Sequence, residues 1–259
     1  MELSKRLQAV ADMLDCHEKI ADIGCDHGFV SIYLIESGKA ARCLAMDVNK
    51  GPLERAKEHI EEKRLSTYIE TRLSNGAKEI RFVEDENGEK KLEVEAALIA
   101  GMGGRLMIQI INDSVDKFQS MEEFILQPQS EIAKVRQYIR EIGYYISKEE
   151  MVWEEGKFYP MMKVVRQKAE EKSIIQRKKC PLEIEEIELQ KLYDEYGEHL
   201  LWERNSVLFA FLKKEKEIYQ EISENLSQME TAKSEARQKE ILEKLKFIDL
   251  GLEWFRNEM

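Results

Sequence analysis

Four short segments carry residue types that can hold a ligand and work on it. The first is Asp22-x-Gly24-x-Asp26-x-Gly28. Glycines there let the backbone turn tightly and approach a ligand closely. A helix start just after it would offer free N–H groups and a partial positive charge. The second is Asp47, 23 residues after Gly24, placed so that a carboxylate can accept both hydroxyls of an adenosine ribose. The third is Asn75-Gly76, where a side-chain amide could reach an adenine. The fourth is Gly101-Met102-Gly103-Gly104, a run that leaves room for a planar substrate.

The first segment is a strand–helix loop of the kind that holds pyrophosphate in dinucleotide folds, but its acids are wrong for that ligand. Asp22 and Asp26 suit the ammonium and sulfonium of S-adenosylmethionine better, and the GxGxxG spacing of a dinucleotide loop is missing. The residues alone therefore point to S-adenosylmethionine over NAD. Cys25, His27, Val48, Asn49, Pro52 and Ala100 flank these segments and are expected to complete the cofactor wall. Each segment also has a plain reading: a turn, an N-cap aspartate, a tight entry into a helix. Asp22, Asp26 and Asp47 together favour the ligand.

Those segments need elements to place them. Apolar residues Leu3, Leu7, Val10, Ala11 and Leu14 recur at helical spacing and open the chain with an amphipathic helix. Strands are predicted at 19–25, 41–48, 68–73, 96–100 and 124–127, the last stopped by Pro128. Helices are predicted at 27–36, 52–63 and 132–142, with another running from the glycine run to Asn112. Asn87-Gly88 marks a hairpin turn within a charged stretch. Residues 144–153 and 158–165 read as an antiparallel pair. Strand and helix in alternation imply an α/β domain with a mostly parallel sheet and helices on both faces.

Eleven of the 13 glycines fall within residues 1–156, and beyond them the chain reads as helix almost throughout. The domains expected are 1–166, α/β, and 167–259, α-helical and coiled-coil-like. In the second, Leu212, Tyr219, Ile222, Leu226 and Met229 form one seam, and Ile241, Leu245, Ile248, Leu252 and Phe255 another. They predict an antiparallel helix hairpin turning near 231–237, with one long bent helix as the alternative.

Composition narrows the class. Hydrophobic residues make up 43% of the 259 positions, enough for a core. No apolar run approaches the roughly 20 residues of a membrane span, and the N-terminus has no signal-peptide pattern. The four cysteines form no CxxC pair, and the four histidines, His17, His27, His59 and His199, no ligand-spaced pair. Neither metal nor disulfides are expected, and a reducing cytoplasm fits. His59 and His199 read as surface residues. A net charge of −11 argues against a broad nucleic-acid footprint, although a local patch can bind RNA on an acidic protein. Residues 167–259 carry 16 Lys+Arg against 21 Asp+Glu. A monomer is the expectation, with the helical part as the element that would carry a dimer.

The motifs together resemble the bacterial TrmK family, which methylates N1 of adenine 22 in tRNA. The likeness rests on Leu3-Ser4-x-Arg6-Leu7, Ala21-Asp22-Ile23-Gly24-Cys25-Asp26-His27, Gly51-Pro52-Leu53 with Ala56, Ile99-Ala100-Gly101-Met102-Gly103-Gly104, Ile125-Leu126-Gln127-Pro128 and Glu155-x-x-Phe158-Tyr159. It covers residues 1–166 closely. Gly28 and Phe29 depart from a common alanine–aromatic pair, and an acidic insertion at 84–89 lengthens one loop. The resemblance implies a methyltransferase domain whose cofactor site is lined by Gly24, Asp26, His27, Asp47 and 101–103, and a helical domain that helps hold tRNA. Asp26 is then the candidate for stabilising the cationic product, with His27 beside it in a chemical or a structural part. Arg6 is the candidate for a phosphate or substrate contact. Gln127 and Pro128 fall on the substrate side, and Tyr159 or Phe158 could stack on a flipped base. Arg177, Lys178 and Lys179 would supply a tRNA clamp. A small-molecule methyltransferase and a non-catalytic scaffold are the competing readings.

Overall fold

The computed structural model describes residues 3–84, 88–166, 180–227 and 232–256. The chain divides into two compact units, Met1–Ala169 and Glu170–Met259.

The first unit opens with helix α1 (Lys5–Asp12), started by the Ser4 hydroxyl, which accepts the Leu7 N–H at 3.3 Å. Its strands are β1 (His17–Ile23), β2 (Ala40–Asp47), β3 (Ile69–Leu73), β6 (Ala96–Met102), β7 (Glu123–Pro128), β8 (Tyr144–Glu154) and β9 (Lys157–Arg166). They form one seven-stranded sheet in the order β3-β2-β1-β6-β7-β9-β8. Strands β3 to β7 of that row pair in parallel; β9 runs antiparallel to both of its neighbours. Helices α2 (Phe29–Glu36), α3 (Lys50–Glu62), α4 (Gly104–Asn112), the short α5 (Val115–Phe118) and α6 (Ile132–Glu141) make the connections.

Both faces of the sheet are covered, which is why β1, β2, β6 and β7 read as continuous apolar runs. Ala21, Ile23, Leu44, Met46, Ile99 and Leu126 point to a core completed by α4 and α6. Ile20, Cys43, Ala45, Leu98 and Ile125 point to a second core under α1, α2 and α3. The chain builds outward from β1 to β3, then returns to the other side of β1 for β6. That reversal opens a crevice at the carboxyl ends of β1 and β6.

Several boundaries move from their predicted places. β6 runs on past Ala100 to Met102 because its register shifts there, the extra residue Gly101 sitting at φ +76°. Strands β4 (Phe82–Glu84) and β5 (Lys90–Leu92) form the expected hairpin and pair only with each other. Residues 85–87, the middle of the acidic stretch at 84–89, lie outside the described residues. The β8–β9 turn is Glu155-Gly156, both at positive φ, the two-residue turn that matches strand twist. Helix α5 was not among the predicted elements, although Ser114 before it and Asp116 in its first turn suit a helix start.

The second unit contains α7 (Glu186–Tyr196), α8 (Glu198–Trp202), α9 (Ser206–Ser227) and α10 (Ala232–Trp254). Helices α9 and α10 pack antiparallel, with Gln238 bonded to Ser223 and Lys216 paired with Asp249 at 2.7 Å. Helix α9 ends at Ser227 and α10 begins at Ala232, so 232–237 is helix and not the turn. Gly251 matters here: a Cβ would sit 3.1 Å from the Leu212 side chain. The hairpin does not bury its seam alone. Trp254 is fully buried, edge-on to Trp202 of α8 at 4.8 Å and to Tyr193 of α7 at 6.0 Å, and Leu192, Tyr196, Leu200 and Leu201 of α7 and α8 are buried too. Arg177, Lys178 and Lys179 lie outside the described residues. No described helix is long and apolar enough to cross a membrane.

One ion cluster ties β1, β3 and the approach to β6. Glu93 meets Arg72 at 2.5 Å and Lys19 at 2.9 Å. Burial pushes its carboxyl up, but hydrogen bonds from Arg72 and Lys19 prevail and hold it at about 2. A carboxyl depressed in the fold stabilises it above the unfolded value, and that gain is lost as pH falls through the folded one. Glu93→Gln is expected to lower the melting temperature at neutral pH. It should also flatten the acid limb between about pH 4.5 and 2, as read by thermal denaturation across pH.

Candidate active site

The crevice at the β1/β6 switch holds a cavity of about 470 Å³. Its floor comes from β1 and the loop after it. Gly24 and Cys25 both donate N–H to the Met46 carbonyl, at 2.8 and 2.9 Å, so the turn is bolted to the end of β2. Gly24 takes φ +83°, and a Cβ there would fall 2.1 Å from the Met102 ε-methyl. The two glycine segments therefore face each other across the crevice.

Asp22 lies inside β1 and not in the loop. It is buried, and its Oδ2 accepts the Ser31 hydroxyl at 2.6 Å. Burial raises its carboxyl to about 6, opposed by hydrogen bonds from the Ser31 hydroxyl and backbone. Its charge thus sits on the first turn of α2, where a helix favours an anion. Asp47 ends β2, with the Asn49 N–H on Oδ1 at 2.8 Å and the Asp26 N–H on Oδ2 at 3.4 Å. Each oxygen keeps a further lone pair for a ligand hydroxyl.

Asp26 adopts φ +48°, uncommon for a residue with a side chain. Its exposed carboxylate lies 3.6 Å from His27 Nε2 and 3.9 Å from Arg55. His27 stacks on Phe29 at 5.6 Å, and Phe29 on His59 at 4.7 Å. His59 is half-buried, with Nδ1 2.9 Å from the His27 carbonyl. It is a buttress of the loop, not the free surface residue expected. Burial, with the nearby Asp22 and Asp47, pushes the Cys25 thiol far up, so it is held as the thiol.

Most of the predicted residues meet on this cavity: Asp22, Gly24, Cys25, Asp26 and His27 from the first loop; Asp47, Val48 and Asn49 from the second; Asn75 and Gly76 from the third; Ala100, Gly101 and Met102 from the fourth; and Arg6 from α1. Six do not line it. Gly28 caps α2 and packs its Cα against Ala56, where a Cβ would come within 3.0 Å. Pro52 sits in the first turn of α3. Gly103 caps α4. Pro128 is buried in β7. Gln127 is wholly buried behind the wall, where its Oε1 takes Arg6 Nη1 at 2.8 Å and the Gly101 N–H at 3.1 Å. Tyr159 lies under the Arg6 guanidinium, 5.1 Å from ring centroid to carbon.

Leu7, Phe29, Val30, Ser74, Leu106, Ile110 and Gln129 line the cavity without having been singled out. Leu106 and Ile110 were legible in principle, since they stand four apart on α4 and share a face. Val48 and Leu106 are 58% and 47% exposed, apolar side chains left open on the rim. Among the described residues no cluster of three His, Cys, Asp or Glu could hold a metal ion.

Residues 3–162 match the family model described as a methyltransferase domain. The chain belongs to the methyltransferase-domain family. Within it, the chain is 33% identical over 162 residues to the tRNA (adenine(22)-N(1))-methyltransferase of Bacillus subtilis, covering 62% of this chain. The matched stretch spans 64% of that relative's length. The crystal structure of the B. subtilis m1A22 tRNA methyltransferase TrmK superposes with a TM-score of 0.77 at 27% identity, covering 97% of this chain and 99% of that one. A putative tRNA (m1A22) methyltransferase of Streptococcus pneumoniae, solved in complex with S-adenosyl-L-methionine, gives 0.76 at 26% identity, covering 97% and 100%.

The methyltransferase domain needs Gly104, the last glycine of the run at 101–104, for packing. A Cβ on Gly104 would lie 2.5 Å from the Ser130 carbonyl oxygen and 2.8 Å from Val135. Backbone cannot swing aside as a side-chain tip can. Gly104→Ala is therefore expected to destabilise the domain by roughly 2 kcal/mol or more, in the range of overpacking. Gly103→Ala meets only the rotatable Ser130 hydroxyl at 3.1 Å and should cost clearly less. Thermal melts of the two variants check the order.

Proposed function

We propose that the chain transfers the methyl group of S-adenosylmethionine to N1 of adenine 22 in tRNA. The observation that carries the reading is the cavity itself. Residues at the carboxyl ends of β1, β2 and β6 and after β3 converge on it, Asp47 among them. The expected compartment is the cytoplasm, where such a substrate is made.

The residues fit the cofactor. Asp47 accepts the two ribose hydroxyls, Asn75 reaches the adenine edge, and Val48 with Leu106 supplies apolar surface for its ring. When bound, S-adenosylmethionine supplies an electrophilic methyl on a sulfonium. The protein's task is then largely placement. N1 of adenine has an in-plane lone pair and needs no strong base, but the base must leave its stack and be held in line. Gly101 clears space for it on the cavity wall, while Tyr159 stays outside the cavity beneath Arg6. The ring gains positive charge as the bond forms, and Asp26 is the exposed carboxylate placed to offset it. His27, braced by Phe29 and His59, fixes the loop from which Asp26 projects.

Incubation with labelled cofactor and unmodified tRNA should place label at adenine 22, located by mapping the modified nucleotide. Label on free small molecules and none on tRNA would replace this reading with a small-molecule methyltransferase. Asp26→Asn should slow single-turnover transfer roughly tenfold to a hundredfold while cofactor affinity stays within about twofold. An unchanged rate at unchanged affinity would remove Asp26 from the chemistry.

A further inference from the structure

The charges on the cavity wall do not match the cofactor unless one residue is moved from the substrate side. Asp22, Asp26 and Asp47 are acidic, and Arg6 is the one permanent cation among the lining side chains. S-adenosylmethionine carries a single carboxylate. The usual partners for it at a strand–helix turn are backbone N–H groups. Here Gly24 and Cys25 give theirs to Met46, Gly28 gives its own to the Cys25 carbonyl, and Asp26 gives its own to Asp47. Ser31 gives both its hydroxyl and its N–H to Asp22. The protein's own aspartates have taken much of the anion-binding capacity of the turn.

Arg6 is held ready for that role. Nη1 donates to Gln127 Oε1 at 2.8 Å, and the guanidinium lies over the Tyr159 ring. The same Oε1 accepts the Gly101 N–H at 3.1 Å, and Nε2 donates to the Pro128 carbonyl at 3.2 Å. Those three contacts fit only one orientation of the amide, because a flip would set its NH₂ against two donors. Gly101 adds no bulk between: even a Cβ built there would stand 3.7 Å from Nη1. Nη2 and Nε have no hydrogen-bond partner among the described residues.

We infer that Arg6 grips the carboxylate of the cofactor's amino-acid end, and that Gln127, which never touches the ligand, is the positioning residue that presets Arg6. This rests on the S-adenosylmethionine reading but not on the tRNA one. Orienting a fork of donors before binding lowers the cost of ordering it on binding.

The test uses the full chain and two probes, S-adenosylhomocysteine and 5′-methylthioadenosine, which lacks the amino-acid carboxylate. Isothermal titration should show Arg6→Ala and Gln127→Leu each weakening S-adenosylhomocysteine roughly tenfold or more, with methylthioadenosine within about twofold. The double variant should be no weaker than Arg6→Ala, because Gln127 acts through Arg6. Gln127→Glu keeps an acceptor for Arg6 and Gly101 and should retain the preference for S-adenosylhomocysteine, even with a lower melting temperature. Equal loss of both probes, or additive losses in the double variant, would reduce Gln127 to a packing residue and overturn the inference. So would Arg6→Ala binding S-adenosylhomocysteine as wild type does. Wild-type protein that binds neither probe would overturn the cofactor reading, and the inference with it. Binding without methylation of tRNA would sink only the substrate assignment and leaves this inference supported.

Discussion

The paired hydrogen bonds from Gly24 and Cys25 to the Met46 carbonyl hold the site together. They fasten the turn after β1 to the end of β2, so the loop that carries Asp26 and the strand end that carries Asp47 form one rigid wall. The positive φ at Gly24 is what lets two successive N–H groups reach one oxygen. The Asp26 N–H on Asp47 adds a third tie. This arrangement also decides the ligand chemistry, since a loop whose donors face inward cannot cradle a pyrophosphate.

The opposite wall obeys a different constraint. Gly101 at its bulge, Gly103 at the cap of α4 and Gly104 against Ser130 each remove a side chain for a separate reason. Only the first two of the run, Gly101 and Met102, reach the cavity, while the rest bring the loops after β6 and β7 into backbone contact. Gln127 then joins this wall to α1 through a single oxygen. Two rigid walls and an arginine held between them leave little to be ordered when a ligand arrives.

Much of this was legible in the sequence because the functional residues sit at strand ends. Apolar runs followed by glycine or aspartate located β1, β2 and β6, and with them Gly24, Asp47 and Gly101. Partnership was not legible. Asp22 looked like a loop acid, but strand alternation and the later Ser31 turn it into a buried cap for α2. Gln127 looked like a substrate contact, and nothing local announces that its partner lies 121 residues away. His59 shows the same limit, its role depending on a carbonyl 32 residues upstream. In the helical unit the seams were visible, but spacing alone could not reveal that Trp202 and Tyr193 pack edge-on against Trp254.

The contact between the loops after β6 and β7 reaches into how such a chain can change length. Gly104 donates to Ser130 at 3.0 Å and Gln129 to Met102 at 2.8 Å, so an added residue in either loop would displace the other and the cavity with them. Among the described strands β4 and β5 pair only with each other, so the hairpin passes no such displacement to the main sheet's ladder. Insertions and deletions during divergence should therefore collect in the hairpin, while the two rim loops stay fixed in length.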